Sequence, residues 1–385
     1  MEYFFNDDEK KLKQKAREIA ENLVLPIRDE MDEKGEFPLE LVKEMGRQGL
    51  LKIFIPEEYG GTGEKIMDMC IVCEEIARIC AGAATAYAVG ALGSGPIVHF
   101  ATEEQKKKYL PKIATGELLC AFGLTEASAG SDVANIQTAA RKEGDYYILN
   151  GVKQFISNAS VSDVYTVLAS TDKSRGARGI SAFIVEKDMP GLSYGKEENK
   201  LGIRTSVTTE LVFEDCKIPK ENLMGKEGMG FIYTMRNFDR ARPGVGAMAL
   251  GIAQGAFESV LDFTYKHDLL NNQYIQRKVA DMATEIEAAR ALIYAAARMI
   301  DSGTRGFSKE SSFAKLYPSD VAMKVTTEAI EILGLYGVLK EYHIEKRLRD
   351  AKITQIYEGT SQIQRAVIAI ELTREMGIRE KSKKA

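Results

Sequence analysis

Apolar residues recur with a helical period over most of the first 120 residues and again from about residue 231 almost to the end. In the first stretch this period predicts helices at roughly 7–34, 38–50 and 66–80. In the second stretch it predicts longer helices at about 231–267, 272–302, 309–336, 343–357 and 361–376. Because an amphipathic helix longer than about 25 residues cannot hide its apolar face alone, the second set is expected to pack as an antiparallel bundle.

Between about residues 121 and 235 the period becomes that of short strands. VYTVLAST, ISAFIVEK and TTELVFEDCKI read as strands, and Asn150-Gly151 in DYYILNGVKQFISNA is the strongest short hairpin signal. The chain is therefore predicted to be α+β, with an N-terminal helical domain at 1–120, a middle β domain at 121–235 and a C-terminal helical bundle at 236–385. A length of 385 residues exceeds one ordinary core and fits this division.

Small residues fill positions 81–95 and predict a helix that its neighbours approach closely. Ordinary close packing and a wall of a substrate pocket both explain this composition, and the pattern does not decide between them.

Composition and charge narrow the function classes. The chain is 45% hydrophobic and 28% charged, which is typical of a soluble globular protein. A net charge of −4 argues against nucleic acid or an anionic membrane as the main partner. No apolar run approaches a membrane span, and the N-terminal segment lacks a signal-peptide core, so the expected location is cytoplasmic.

The cysteines and histidines predict neither a disulfide framework nor a metal site. Five cysteines, an odd number, indicate a reducing compartment. Cys70 and Cys73 form a CxxC pair, but they lie inside the apolar run IMDMCIVCEEIARIC and are interpreted as core thiols. His99, His267 and His343 are isolated from one another and from the cysteines.

One stretch, RDAKITQIYEGTSQIQR at 349–365, places a carboxylate at a break between two helical patterns. Gly359 permits backbone angles that a helix interior does not tolerate, and Ser361 with Gln364 fits a capping box for the next helix. Glu358 is thus expected at an exposed corner, either complementing a helix dipole or serving as a general base. The apolar face expected to pack that next helix against a core consists of Ile363, Val367 and Ile370.

The run DAKITQIYEGTSQIQR resembles the C-terminal signature of the acyl-CoA dehydrogenase family, in which the glutamate of YEGT is the catalytic base. Further blocks follow in the family's order: GLLKIFIPEEYGGTG, FGLTEASAGSDVANIQTAA, KLGIRTSVTTEL, IPKENLMGKEGMGF and FDRARPGVGAMALGIAQGAF. The resemblance covers nearly the whole chain and implies the acyl-CoA dehydrogenase fold, FAD as cofactor and a homotetramer. There is no GxGxxG at a strand-to-helix junction, so a Rossmann nicotinamide site is not indicated.

The implied reaction is oxidation of a short-chain, branched or alicyclic acyl-CoA to the enoyl-CoA. Glu358 would remove the α proton while the β hydrogen leaves as hydride to the flavin, whose electrons pass to an electron-transfer flavoprotein. Ala241 stands where some relatives keep an alternative base, which leaves Glu358 as the base matched by motif.

The resemblance also implies which residues bind cofactor and substrate. Phe155 would lie against the flavin, with phenylalanine where the family more often has tryptophan, and Ser157 would bond near flavin N5. Asp239 and Arg242 would contact the CoA portion, although their spacing also lets them pair with each other. The flavin set is Phe122, Leu124, Thr125, Gly130, Ser131, Phe155, Ile156, Ser157, Thr360 and Gln362. The substrate set is Ser131, Asp239, Arg242, Tyr357 and Gly359, and no residue is assigned to a metal.

Two segments depart from the family pattern. TYKHDLLNNQYIQRKVADMATEIEAAR lacks the usual RxxFG and is shortened, and EILGLYGV carries Glu331 and Leu335 where QxxGGxG is common. A carboxylate beside a diphosphate is repulsive, and Leu335 blocks close backbone approach. These departures leave two alternatives open, a remodelled diphosphate pocket and a partner-dependent subunit with weakened flavin binding. Separately, an enoyl-CoA reductase that runs the reaction in reverse stays open, because the direction depends on substrate and acceptor potentials that the chain does not state.

Overall fold

A computed structural model describes residues 5–384, with side chains described over residues 5–377. Its N-terminal part is helical, and the helices are α1 (Asp7–Ile19), α2 (Arg28–Lys34), α3 (Leu39–Arg47), α4 (Ile66–Ile79), α5 (Ala81–Phe100) and α6 (Glu103–Thr115). The segment predicted as one helix over 7–34 is divided by a π turn and a 3-10 turn at 20–27. Pro26 lies in that 3-10 turn and has no N–H to donate, which accounts for the break.

The middle part is a seven-stranded sheet. Its strands are β1 (Cys120–Gly123), β2 (Ala139–Glu143), β3 (Tyr146–Ser157), β4 (Val164–Ser170), β5 (Ile180–Glu186), β6 (Leu192–Tyr194) and β7 (Thr208–Pro219). The strand order is β1-β4-β2-β3-β7-β6, with β5 paired to β4. β1 runs parallel to β4, and β3 is antiparallel to both β2 and β7. The inner face is filled by large side chains, among them Tyr147, Leu149, Tyr165 and Phe183.

The hairpin predicted at Asn150-Gly151 is wrong, because β3 continues through both residues. Gly151 has φ 145° and lies at a register shift against β7, so its backbone freedom serves a bulge rather than a turn. Asn150 instead exchanges two hydrogen bonds with Asp215 on β7, at 3.0 and 2.9 Å. The chain reverses between β2 and β3 around Gly144, whose φ is 58°.

The C-terminal part is a bundle of α7 (Gly230–Lys266), α8 (Gln273–Asp301), α9 (Ser308–Leu333), α10 (Ile344–Thr354) and α11 (Ser361–Lys384). Helix α7 is central and packs against α4, α5 and α9. Gly246 allows this, because a Cβ there would overlap the Ala314 carbonyl of α9. The sequence-based division at 235/236 falls inside α7, which begins at Gly230.

Helix α7 also corrects the expectation that no segment approaches a membrane span. By length and composition of its most apolar 18-residue window, it is the one helix in the described chain that could cross a membrane. That window is 72% buried inside the fold, as expected for the core helix of a bundle.

Helix α5 joins the sheet to the bundle through its small residues. A Cβ at Gly93 would lie 2.8 Å from the Ala121 carbonyl oxygen of β1, and a Cβ at Gly95 would lie 2.2 Å from Asn237 Oδ1 of α7. The close approach predicted for positions 81–95 is confirmed, and it brings β1 and the first half of α7 to opposite sides of one helix.

Candidate active site

Glu358 lies in the turn between α10 and α11 with a left-handed backbone. Its φ is 48° and that of Gly359 is 92°, and a positive φ is uncommon for any residue other than glycine. Two buried side chains hold the turn: Lys315 Nζ donates to the Gly359 carbonyl (2.8 Å), and Gln364 Nε2 donates to the carbonyls of Gly359 (3.0 Å) and Glu358 (3.3 Å). The strain is therefore fixed by contacts that do not involve the carboxylate.

Two local predictions about this turn are wrong. The cap of α11 is Thr360, whose Oγ1 accepts from the Ile363 N–H at 3.2 Å, whereas Ser361 is the first helical residue and its buried Oγ has no hydrogen-bond partner. Gln364 turns back to the two carbonyls instead of closing a capping box. The apolar face of α11 also stops short of the core, because Ile370 is 51% exposed.

The sequence suggested an exposed position for Glu358, but in the structure this residue is half-buried. Its Oε2 has no accessible surface and no hydrogen-bond partner within the described protein. Burial raises the pKa of Glu358 to about 7, against the opposing charges of Lys315 and Arg242. A carboxyl group that titrates near neutral pH and keeps a free oxygen is suited to accept a proton from a substrate.

Arg242 and Asp239 lie beside this carboxyl group on α7. The two side chains pair at 2.6 Å, so the pairing suggested by their spacing is confirmed. Arg242 is buried and its Nε has no hydrogen-bond partner, while Asp239 accepts a second hydrogen bond from Ser308. A free guanidinium N–H and a free carboxylate oxygen thus occupy one region of the bundle.

Helix α5 connects Tyr357 to the end of strand β3. The Tyr357 hydroxyl and the Thr85 hydroxyl both contact Met248 Sδ, at 4.0 and 3.9 Å. The carbonyl of Ala86, next to Thr85, accepts a hydrogen bond from Asn158 Nδ2 at 2.9 Å. Asn158 directly follows Ser157 at the end of β3. The turn at 357–360, hereafter the base turn, and the end of β3 are therefore tied to the same turn of α5.

Phe155 is presented outward by a second bulge in β3. Its φ is 57°, and it lies where the register with β7 shifts between Lys153 and Ile156. The Phe155 ring is 57% exposed, whereas Ile156 is buried and Ser157 is half-buried. A bulge that re-aims an aromatic side chain gives a planar surface on which a flat ring system can stack.

A buried ion pair that sequence reasoning missed organises the loop after β1. Lys153 Nζ contacts Glu126 Oε1 at 2.6 Å and the Leu124 carbonyl at 3.1 Å, and Glu126 also accepts from the Thr138 N–H. Burial lowers the pKa of Lys153 to about 8 against the pull of Glu126. The signal was available, since Lys153 is in phase with the inward residues Tyr147 and Leu149 of the same strand.

The remaining predicted site residues fall in three places. Phe122 is buried and contacts the ring of Phe238, which precedes Asp239, at 5.8 Å between centroids. The Thr125 carbonyl accepts from the N–H of Gln154 at 2.7 Å, one residue before Phe155. Solvent-exposed positions are Gly130 and Ser131 at the loop tip and Gln362 in the first turn of α11.

These residues fit a flavin. Phe155 offers an outward aromatic ring on which a flat ring system can stack, and Glu358 and Arg242 each keep a buried polar atom without a hydrogen-bond partner. A groove of about 480 Å³ lies on the N-terminal helices, but none of the predicted site residues line it. Within the described part of the chain, no cluster of three or more His, Cys, Asp or Glu residues is arranged for a metal, and the five cysteines are buried and free.

The two segments that depart from the family pattern lie together, at the connection between α7 and α8 and at the end of α9. Leu335 is 86% exposed, and Glu331 lies 3.8 Å from Lys278, which also pairs with Glu328 at 3.1 Å. Lys278 therefore offsets part of the repulsion predicted for a carboxylate at position 331. The shortened connection between α7 and α8 spans residues 267–272.

Comparison with known families and proteins agrees with this geometry. Three family models match in order: the acyl-CoA dehydrogenase N-terminal domain over 6–117, the middle domain over 121–216 and the C-terminal domain over 228–373. The short-chain specific acyl-CoA dehydrogenase of Clostridium acetobutylicum is 44% identical over 97% of this chain and 100% of its own length.

Two further proteins are similar to this chain over nearly its whole length. The acryloyl-CoA reductase (NADH) of Anaerotignum propionicum is 43% identical over 97% of this chain and 96% of its own length. A chain from the structural study of the electron transferring flavoprotein of Acidaminococcus fermentans is 45% identical, with a TM-score of 0.94 over 96% of this chain and 99% of that one. Acyl-CoA dehydrogenases are FAD-dependent oxidoreductases that act on the CH–CH group of acyl-CoA. On its sequence, fold and site geometry, this chain belongs to the acyl-CoA dehydrogenase family.

Proposed function

We propose that this protein is an FAD-dependent acyl-CoA dehydrogenase that converts a short-chain, branched or alicyclic acyl-CoA to its enoyl-CoA. The observation that carries the proposal is Glu358 itself, which is held in a left-handed turn, has one buried and unpartnered oxygen, and has a pKa raised to about 7. Similarity to a short-chain specific acyl-CoA dehydrogenase supports the substrate class.

In this proposal, FAD supplies the acceptor for the β hydrogen, because no amino-acid side chain accepts hydride. Glu358 takes the α proton, and the backbone N–H of Glu358 donates to the thioester oxygen. A well-placed donor of this kind lowers a barrier by roughly 3 to 4 kcal/mol. Asp239, Arg242, Tyr357, Gly359 and Ser131 are the proposed substrate contacts.

The proposed flavin contacts come from the sheet and from α11. Phe155 and Ser157 would hold the ring system, and Ile156 would support them from the buried side of β3. Phe122 in β1 and Leu124, Thr125, Gly130 and Ser131 in the loop after it would hold the cofactor. Thr360 in the base turn and Gln362 in the first turn of α11 would contribute from the other side of the chain. The ion pair of Lys153 with Glu126 keeps that loop in one conformation.

Two exposed apolar surfaces support a homotetramer. One lies at the end of α9 and in the connection to α10, with Leu335, Val338 and Leu339 at 86%, 59% and 46% exposure. The other is on α11, with Ile370, Leu372 and Met376 at 51%, 45% and 64%. Several large exposed apolar side chains on one short segment are typical of an interaction surface. We assign them to contacts between copies of the chain, and we place the protein in the cytoplasm with an electron-transfer flavoprotein as electron acceptor, supported by the Acidaminococcus fermentans similarity.

The test is the visible spectrum of the purified protein before and after addition of acyl-CoA thioesters of increasing length and branching. The protein is expected to be yellow, and a short or branched thioester is expected to bleach it. A protein that stays colourless after incubation with FAD and oxidises none of the thioesters would overturn the proposal.

A second function, enoyl-CoA reduction, is favoured by the similarity to acryloyl-CoA reductase. The same residues would serve, with Glu358 returning the α proton. Comparing rates with an oxidising dye and with reduced electron-transfer flavoprotein separates the two directions. The exposed Leu335 segment keeps a partner-dependent subunit as a further outcome: flavin binding and activity that arise only after mixing with a second related chain would establish it.

A further inference from the structure

Helix α9 carries a buried polar face that runs along the base turn. Ser311 donates to the Asp239 carbonyl (2.5 Å), and Ser319 donates to the Thr354 carbonyl at the end of α10 (2.9 Å). Between them, Lys315 Nζ donates to the Gly359 carbonyl, and Ser312 contacts Arg242. The four residues Ser311, Ser312, Lys315 and Ser319 each have 0% exposure. One face of α9 therefore fixes the positions of α7, the base turn and α10 relative to one another.

Lys315 is the charged member of this face, and neither the motifs nor the family resemblance assigns it a role. A buried ammonium group is costly unless it is paired and hydrogen-bonded, yet the hydrogen bond found for it is to a backbone carbonyl. Burial lowers the pKa of Lys315 to about 8, and the negative charge of Glu358 opposes that lowering. The lysine and the proposed base therefore stabilise each other's charged forms.

We propose that Lys315 is a positioning residue for Glu358, fixing the left-handed turn through the Gly359 carbonyl and favouring the carboxylate form of the base through its charge. This inference rests on the proposed function for its catalytic consequence, but not for its electrostatic one. The charged and titratable groups around the pair are Cys73 from α4, Asp239 and Arg242 from α7, Asp320 from α9, and Tyr357 in the base turn.

Three substitutions separate the two parts of the role in the flavin-loaded protein. Lys315→Gln keeps a donor for the turn and removes the charge, Lys315→Arg keeps the charge and alters the donor geometry, and Lys315→Met removes both. Lys324→Met is the matched control, because Lys324 lies on the same helix, is half-exposed and pairs with Glu285 on the surface.

The first readout is the pH profile of kcat/KM with a short acyl-CoA. In Lys315→Gln the rise of kcat/KM on the acidic side of the profile, the acidic limb, is expected to move to higher pH by about one unit. The rate would then be about tenfold lower on the acid side of the limb and would recover on the alkaline side. In Lys315→Arg the limb is expected to stay in place while kcat falls. A purely structural lysine would lower stability in all three variants and leave the limb where it is.

The second readout does not depend on turnover. The carboxyl infrared band of Glu358, identified as the band lost in Glu358→Gln, is titrated in wild type, Lys315→Gln and Lys324→Met. The band should titrate at higher pH in Lys315→Gln and at the wild-type pH in Lys324→Met. An unchanged midpoint in Lys315→Gln overturns the inference. If Lys315→Gln does not fold, Lys315→Met is titrated in its place, because it removes the same charge, and an unchanged midpoint there overturns the inference. In Lys315→Arg, which keeps the charge, a displaced midpoint contradicts the proposal.

The two readouts also separate this inference from the proposed function. If wild type oxidises no acyl-CoA, the proposed function fails while the infrared titration still tests Lys315. If wild type is active and Lys315→Gln titrates as wild type does, the role of Lys315 fails alone.

Discussion

Replacing Glu358 by glutamine changes one atom and removes one charge. The turn should survive, because its hydrogen bonds from Lys315 and Gln364 reach backbone carbonyls and not the carboxylate. Flavin content should therefore match that of wild type. Turnover is expected to fall by about 10² to 10⁴, the usual contribution of a positioned general base.

The same substitution has a stability consequence of opposite sign. The pKa of Glu358 is raised from 4.5 to about 7 by burial, so between those values the native state holds a proton that the unfolded chain has released. Stability of the wild type attributable to this group is consequently full below pH 4.5 and is lost as the pH rises through 7. At a pH well above 7, Glu358→Gln should be more stable than wild type by up to about 3 kcal/mol, and the gain should vanish in acid.

Urea unfolding of the flavin-loaded proteins, performed well above pH 7 and again near pH 5, measures this difference. Ala366→Glu is a useful control, because it places a carboxyl group on an exposed position of the adjacent helix α11 and should show no comparable pH dependence. Equal stability of Glu358→Gln and wild type at both pH values, together with wild-type turnover, would refute the reasoning that the carboxyl group is buried and acts as the base.

Four further outcomes are expected. Wild-type kcat should rise with pH through about 7 as Glu358 ionises, and a flat profile across that range would contradict its pKa. Phe155→Ala should weaken FAD binding by roughly three- to tenfold, the value of an aromatic stacking contact, while thermal stability changes little because the ring is 57% exposed. Titration of the flavin-free protein with FAD measures the binding, and Tyr146→Ala, at an exposed position of the same strand, is the control. Lys153→Met should cost about 3 to 5 kcal/mol, because it leaves Glu126 buried and unpaired, and limited proteolysis should then cut within residues 124–138, whereas Lys142→Met should have neither effect. Leu335→Asp combined with Ile370→Asp should reduce the molar mass measured by light scattering, and an unchanged mass would show that these surfaces are not subunit contacts.

Much of the fold was predictable because long apolar periods dominate it. Four of the five bundle helices begin and end within three residues of their predicted positions, because burial of their apolar faces dominates. Helix α11 extends to Lys384, eight residues past its predicted end. The hairpin at Asn150-Gly151 failed because a positive φ serves a bulge as well as a turn, and the sequence does not state which strand pairs where. The capping box at Ser361 failed by one residue because Thr360 competes for the same role.

The site was predictable in its motifs and not in its supports. Glu358 and Phe155 stand in recognisable strings, but both depend on left-handed backbone conformations that no string displays. Lys315 is 43 residues from Glu358 in the sequence, and Lys153 is 27 residues from Glu126. Only the tertiary structure brings each lysine to the segment that it holds. The half-burial of Glu358 is likewise a property of the tertiary structure, which brings Cys73 of α4, Arg242 of α7 and Lys315 of α9 into its surroundings.

The central claim is that Glu358 removes the α proton of an acyl-CoA thioester. Anaerobic stopped-flow mixing of the flavin-loaded protein with a short acyl-CoA, unlabelled or deuterated at the α carbon, tests it most directly. The visible band of wild type should bleach more slowly with the α-deuterated substrate, and that of Glu358→Gln should not bleach on the same timescale with either. Bleaching of Glu358→Gln at the wild-type rate would contradict the claim.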